Sequence, residues 1–336
     1  MPYCRRLTKR EAALAFLALA LLFAHIGPIA PARVSADLAQ QKKEIQKRDK
    51  ESKDSGDDDK ISLHADLVVV NATVADPGGK YVHGLSAKDF KITEEGVPQT
   101  VDAFSAEEAP FAAAILIDMS ASMERKLGMA RSAAASFVDN IRDDDQVAVY
   151  GFNTEIQLFQ EFSNLRDIND RIWDVTAKDN TRVFDCVAEA VESLAKRPER
   201  KRAILLLTDG WDSASKHTRE SVLKGAFAAG ITIYTVDMID DNLLIGNASY
   251  VQPLRQGRGI LRDIAEQTGG RYVYSPQGDG LEPAFISIVE ELRNQYTLTY
   301  YSTNEKRDGR WRKLSVAVTQ PGVTIRSRRG YFAPKG

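Results

Sequence analysis

The chain is 336 residues long, 43% hydrophobic and 27% charged, with a formal net charge of −2. That composition suits a globular protein of more than one domain and leaves no broad basic field to hold nucleic acid. Histidine is scarce, at four, and none sits in a His-x-x-x-His spacing, which argues against zinc chemistry built on His and Cys.

Residues 1–36 read as an export signal. Arg5, Arg6, Lys9 and Arg10 form a positive start, Ala12 to Ala24 is an almost pure Ala/Leu/Phe run, and Val34-Ser35-Ala36 offers a cleavage point before Asp37. The apolar run is short against the ~20 residues of a bilayer span. The mature chain is therefore expected to have no membrane span and to be periplasmic or extracellular, with an uncleaved anchor as the alternative. Cys4 falls within the signal, so Cys186 is the only cysteine left. No internal disulfide is then available, and Cys186 reads as a small buried side chain in a helix. Residues 37–60 mix Lys, Asp and Glu with few apolar side chains; such a segment buries too little to offset chain entropy and reads as a disordered charged linker.

Residues 61–109 turn to β patterns. Leu63 through Val74 is β-rich, Asp76-Pro77-Gly78-Gly79 is a turn, and Phe90–Thr93 and Val101–Phe104 alternate on either side of a turn at Glu95-Gly96. The middle, 110–294, alternates apolar runs with helical ones. Strands are expected over Ala113–Ile117, Gln146–Phe152, Ala203–Leu207, Ile231–Val236 and Arg271–Tyr274, with Glu155–Gln160 as an antiparallel edge. Helices are expected over Met123–Arg142, Leu165–Val175, Val183–Ala195, Thr218–Ala229, Gly259–Gln267 and Leu281–Asn294. Strands this apolar, separated by helices, imply an α/β fold, a doubly wound and mostly parallel sheet covered on both faces. Residues 295–336 return to β patterns. Each flanking β block is small for a core of its own, so the two are expected to pack together as one β-sandwich-like unit with the α/β domain inserted between its halves.

Three distant stretches carry oxygen-rich side chains at the ends of these runs: Asp118-Met119-Ser120-Ala121-Ser122, Thr181, and Asp209 in Leu205-Leu206-Leu207-Thr208-Asp209-Gly210. Loop tips beyond strand ends are where a doubly wound sheet gathers its ligands, and hydroxyls with carboxylates suit a hard cation such as Mg²⁺. Other readings stay open. Ser120 and Ser122 could cap the following helix, Asp209-Gly210 could be a turn only, and Asp185 and Asp212 could be helix-start or loop carboxylates. Arg255, Arg258 and Arg262 read as a solvated face.

In these stretches the chain resembles the von Willebrand factor type A domain with a metal-ion-dependent adhesion site. The matching pieces are Ile115 to Met123, Thr181-Arg182-Val183-Phe184-Asp185, Leu206 to Asp212, and Ala265 to Tyr272. The segments Val74–Gly79, Leu85–Phe90, Gln295–Tyr301 and Arg329–Phe332 resemble the flanks of a bacterial exported subfamily of such domains. The resemblance implies a Rossmann-like fold over 110–294. It implies Ser120 and Ser122 as direct metal ligands, Thr181 as a direct ligand in the engaged state, and Asp118 and Asp209 as ligands mostly through water. Mg²⁺ is the expected ion, with Mn²⁺ or Ca²⁺ as alternatives. Ala121 stands where the family commonly has Gly, and Asp179-Asn180 where it often has Gly-Gly.

The expected function is an exported, adhesion-type protein-binding module whose metal accepts an Asp or Glu carboxylate from a protein partner. Trp211, Asp212, Leu243, Leu244 and Tyr250 are candidate partner contacts, the last three because 240–259 reads as a long loop at the metal face. No enzyme activity is expected: a dehalogenase-type phosphatase would need a second Asp where Ser120 stands, and no Gly-x-Ser-x-Gly elbow occurs. A structural envelope protein with a non-essential metal site, or a metal-dependent hydrolase, are the alternatives.

Overall fold

In chain order the strands are β1 (Leu67–Ala75), β2 (Phe90–Glu94), β3 (Val97–Gln99), β4 (Ala103–Ser105), β5 (Phe111–Asp118), β6 (Gln146–Phe152), β7 (Ile156–Ser163), β8 (Lys201–Thr208), β9 (Ile231–Asp237), β10 (Tyr272–Tyr274), β11 (Tyr296–Tyr301), β12 (Trp311–Val318), β13 (Thr324–Ser327) and β14 (Gly330–Phe332). The helices are α1 (Leu127–Asp139), α2 (Arg171–Asp174), α3 (Val183–Ala195), α4 (Arg219–Ala228), α5 (Ala248–Thr268) and α6 (Leu281–Arg293). This computed structural model describes residues 67–335 except 106–108, 167, 169, 175–179, 210–211, 240–247 and 276–279, all within the unit His64–Gly336. The export signal and the charged linker expected from the sequence lie outside the described residues. No helix among the described residues is long and apolar enough to cross a membrane.

The apolar runs of the middle segment form a six-stranded sheet in the order β10-β9-β8-β5-β6-β7. Its strands are parallel except β7, which returns antiparallel against β6 as the edge. Every residue of β5 is buried, because side chains that alternate across a strand here meet helices on both faces. Ala112, Ala114 and Leu116 pack with α3, α4 and α5, while Ala113, Ile115 and Ile117 pack with α1 and α6. The fold class is thus as expected, a doubly wound, mostly parallel α/β sheet.

The two flanks interleave rather than lying side by side. One antiparallel sheet has the order β13-β1-β11-β4 and the other β14-β12-β2-β3, so each draws strands from both ends of the chain. Phe90 of β2 meets Phe104 of β4 and Tyr296 of β11 at centroid distances of 5.8 and 5.2 Å, joining the two sheets across an apolar interior. Glu94 of β2 is also inside, 2% exposed. Its carboxylate accepts from Tyr300 Oη at 2.7 Å, Ser302 Oγ at 2.8 Å, Tyr331 Oη at 3.0 Å and Arg312 Nη1 at 3.1 Å. The sandwich joins the α/β domain through Glu291 of α6, which accepts from Tyr234 of β9 at 2.9 Å and pairs with Arg326 of β13 at 2.5 Å.

Four expectations are corrected. The helix over Met123–Arg142 starts as a 3-10 turn, 121–126, before α1 takes over. The helix expected over Leu165–Val175 is confined to 171–174 among the described residues, because Asn164 and Arg166 are strapped to Asp143 instead. The long loop expected over 240–259 is largely helix: α5 begins at Ala248. Leu254, Leu261, Ile264 and Ala265 continue one stripe at helical spacing, and packing of that stripe overrides the low propensity of Pro253, Gly257 and Gly259. Of the three arginines expected on a solvated face, Arg255 and Arg262 are exposed, but Arg258 is not. Arg258 pairs with the fully buried Asp237 at 2.6 Å, and Arg262 lies over the Tyr272 ring at 4.9 Å.

Candidate metal centre at the carboxyl ends of the sheet

β5 and β8 are neighbours, yet the helices that follow them lie on opposite faces, α1 on one and α4 on the other. That divergence opens a crevice at the strand ends, the topological switch point at which open α/β sheets bind ligands. Asp118 is the last residue of β5, and Asp209 directly follows β8. Both are buried, at 0% and 7% exposure. Asp118 Oδ2 accepts from Thr208 Oγ1 at 2.5 Å, across the gap between the two strands, and Oδ1 accepts from the Ser120 amide at 2.9 Å. No basic side chain pairs with Asp118 among the described residues.

The serine loop keeps its hydroxyls away from helix capping. Ser120 occupies the N-cap position of the 3-10 turn, but its side chain makes no cap hydrogen bond. Its Oγ lies instead 3.1 Å from Ser122 Oγ. Ser120 is buried at 2% and Ser122 is exposed, so the pair runs from the crevice to the surface. Met119 donates its amide to Phe152 O at 2.7 Å, which fixes the loop against the end of β6.

Thr181 is held at this same end by its neighbours. Its amide donates to Ser213 Oγ at 3.0 Å, its carbonyl accepts from the Ser213 and Ala214 amides at 3.1 Å, and the next amide, Arg182 N, donates to Asn153 O at 3.1 Å. Two carboxylates clasp the Thr181 and Asp209 loops reciprocally. Asp212 Oδ1 accepts from the Val183 amide at 2.8 Å and from Ser215 Oγ at 2.6 Å, so it satisfies an orphan donor at the start of α3. Asp185 Oδ1 accepts from the His217 and Lys216 amides and from His217 Nδ1, while Oδ2 accepts from Arg182. Burial alone would raise the Asp185 carboxyl; the hydrogen bonds from His217, Arg182 and Lys216 outweigh it and hold the group well below the usual range. Asp118 goes the other way. Burial, then the charge of Asp209, push its carboxyl upward, and the Ser120 and Thr208 bonds do not offset them.

The donor set fits a hard divalent cation. Among the described residues there is no cluster of three or more His, Cys, Asp or Glu side chains. The crevice offers two buried carboxylates with serine and threonine hydroxyls, the oxygen-only chemistry of Mg²⁺ or Mn²⁺. A dication is also what two buried like charges call for, since it reverses the local electrostatics.

Of the candidate partner contacts, Trp211, Leu243 and Leu244 lie outside the described residues. Tyr250 belongs to the first turn of α5 and not to a loop. Asp212 is half-buried and engaged within the chain through its cap. The segment after β9 does start at the metal end: Met238 N donates to Thr208 O at 3.1 Å, and Met238 O accepts from Lys126 Nζ. Sequence reasoning missed Thr208, Ser213 and Ser215. The clasp left one trace in the sequence, acidic residues Asp185 and Asp212 beside a helix start and a hydroxyl-rich loop.

Residues 113–211 match the von Willebrand factor type A domain. Solved structures with a similar chain course include BatB from Bacteroides thetaiotaomicron, at 18% identity over 54% of this chain and 98% of that one, TM-score 0.44. The von Willebrand factor type A protein of Catenulispora acidiphila is 11% identical over 82% of this chain and 76% of that one, TM-score 0.45. The corresponding domain of the type V pili tip protein Mfa5 from Porphyromonas gingivalis is 13% identical over 55% and 95%, TM-score 0.44. No curated protein sequence matches the chain.

Proposed function

Taking residues 113–211 as a von Willebrand factor type A domain, we propose that the protein is an exported, non-enzymatic binding module that engages a protein partner through a divalent cation. The observation that carries this reading is the pair Asp118 and Asp209, buried side by side at the switch point with the Ser120 and Ser122 hydroxyls opening to the surface. Asp118, Ser120, Ser122, Thr181 and Asp209 would hold the ion. A bound cation would offer a coordination position to an Asp or Glu of the partner, in a setting partly shielded from water where such a bond is strong.

The chain's own residues do the positioning. Thr208 and the Ser120 amide orient Asp118, and Asp212 and Asp185 lock the Thr181 and Asp209 loops to each other. The carboxylates here are held by donors and lie near one another, an arrangement suited to holding a cation. Export rests on the Arg5–Arg10 charges, the Ala12–Ala24 run and the small residues before Asp37. Trp211, Leu243, Leu244 and Tyr250 remain the proposed partner contacts around the site.

A pull-down from envelope extract tests the reading. Partner capture should require Mg²⁺ or Mn²⁺, be lost in EDTA, and fall sharply in Ser120→Ala. Capture that is indifferent to metal and to that substitution would overturn it.

A further inference from the structure

A second concave site lies at the opposite end of β8, some seven residues and roughly 20 Å from Asp209 at ordinary strand rise. There a cleft of about 700 Å³ opens where the end of the sandwich meets the C-terminus of α4. Its walls carry Arg200, Arg202, Lys224, Arg328 and Lys335 against one carboxylate, Asp102. Between these charges the walls are apolar and aromatic, chiefly Phe227, Tyr331 and Phe332.

Arg328 is the central group. It is 9% exposed, its Nη1 donates to Phe227 O at 3.0 Å, and its guanidinium lies 5.5 Å from the Tyr331 ring. Both of those neighbours line the cleft, so the charged end of Arg328 faces it. Its Nε is buried without a hydrogen-bond partner, and no carboxylate pairs with it among the described residues. Burial without a counter-ion lowers its pKa to about 10. The Arg202 pKa is lowered by burial too, partly offset by the charge of Glu199, and its guanidinium donates to the carbonyls of Glu199, Ala229 and Arg197.

A structural role accounts for part of this. Arg202 and Arg328 satisfy carbonyls at the end of α4, where cations are favoured. But a helix end is worth only about half a negative charge, and while Glu199 also acts on Arg202, no carboxylate among the described residues acts on Arg328. Arg200, Lys224 and Lys335 add three more positive charges, none with an ion-pair partner among the described residues, and Lys224 lies over the Phe332 ring at 5.6 Å. The cleft therefore has surplus positive charge around an apolar floor, with the nine-tenths buried Arg328 in its wall.

We propose that this cleft binds an amphipathic organic anion, a carboxylate or phosphoryl head on a hydrocarbon body. The head meets Arg328, Arg202 and Lys224, and the body lies over Phe227 and Phe332. The site is independent of the metal centre.

Calorimetric titration of the full chain in EDTA, with phenyl phosphate, 4-phenylbutyrate, 4-phenylbutylamine and inorganic phosphate, tests it. At least one of the two aromatic anions should bind at one site, and which of them binds more tightly identifies the head group. The amine should not bind, and inorganic phosphate should bind more weakly than phenyl phosphate. The surface double variant Lys224→Glu/Lys335→Glu, which leaves the buried arginines in place, should weaken the anion about tenfold or more with an unchanged far-UV spectrum. Failure of both aromatic anions to bind, equal binding of the amine or of inorganic phosphate, or unchanged affinity in the folded double variant would overturn the assignment.

Discussion

Two buried carboxylates in this molecule live in opposite circumstances. Glu94, inside the sandwich, is 2% exposed and surrounded by a complete set of donors, Arg312 among them. Asp118, at the end of β5, is 0% exposed, is bonded by Thr208 and Ser120 but by no basic side chain among the described residues, and has Asp209 as its charged neighbour. A buried charge is tolerable when it is paired and hydrogen-bonded, and costly otherwise. The sandwich carboxylate is therefore a finished piece of architecture, whereas the strand-end carboxylate is half of an arrangement that a cation completes.

Breaking the finished member should do the most damage. Glu94→Ala would leave the Arg312 guanidinium, itself 3% exposed, buried without its counter-charge, and should cost about 3–5 kcal/mol in urea unfolding. A cost below about 1 kcal/mol would mean that Glu94 does not complete Arg312. The clasp comes next. Asp185→Ala removes the acceptor for two amides, a histidine and an arginine and should cost about 2–3 kcal/mol at neutral pH. Because the folded Asp185 is held below its ordinary value of 3.8, its contribution is fully present above that value and is lost as the pH falls below it. The difference between variant and wild type should hold from pH 7 to about 5 and shrink only in stronger acid.

Asp118→Asn should have the opposite sign. It keeps the shape and the bond from the Ser120 amide, turns the Thr208 hydroxyl from donor to acceptor, and removes the charge, so the metal-free protein should gain about 1–3 kcal/mol near neutral pH. The sign follows from the direction of the shift. A carboxyl raised in the folded state binds its proton more tightly there, so wild-type stability falls as pH rises from the ordinary value of 3.8. The variant should lose that slope, and an unchanged slope would show that Asp118 is not under strain. The smallest effect on stability is expected for Ser120→Ala, within about 0.5 kcal/mol, because its hydroxyl caps nothing. A loss above 1 kcal/mol would return Ser120 to a capping role.

The legible parts of this molecule were those written in short-range pattern. β5 and β8 carry continuous apolar runs, β9 is rich in β-branched residues, and the residues that end β5 and follow β8 are Asp118 and Asp209. From these the sheet, its coverage on both faces and the strand-end candidates could be read. What could not be read depended on partners distant in the chain. Lys201 is a lysine at a strand start, yet it is fully buried because its ammonium reaches Arg293 O at 2.8 Å. Glu94 and Arg312 are 218 positions apart, and nothing local marks either as interior. The start of α5 was hidden by Pro253 and two glycines, since propensity is overridden when a helix has a face to bury. At the turn from α5 to β10, Gly269-Gly270 was legible as a turn, but its reason was not: a Cβ on Gly270 would lie 2.1 Å from Ile233 O. The exchange of capping groups between the Thr181 and Asp209 loops likewise needed the fold before it could be seen.

The most direct test of the central claim is calorimetric titration of Mg²⁺, and then Mn²⁺, into the metal-stripped protein, run in parallel on wild type, Asp118→Asn and Ser120→Ala. The account predicts one site in the wild type, accompanied by a rise in melting temperature, and neither heat nor stabilisation in the two variants, which stay folded. Absence of binding to the wild type, or equal binding by all three proteins, would contradict it.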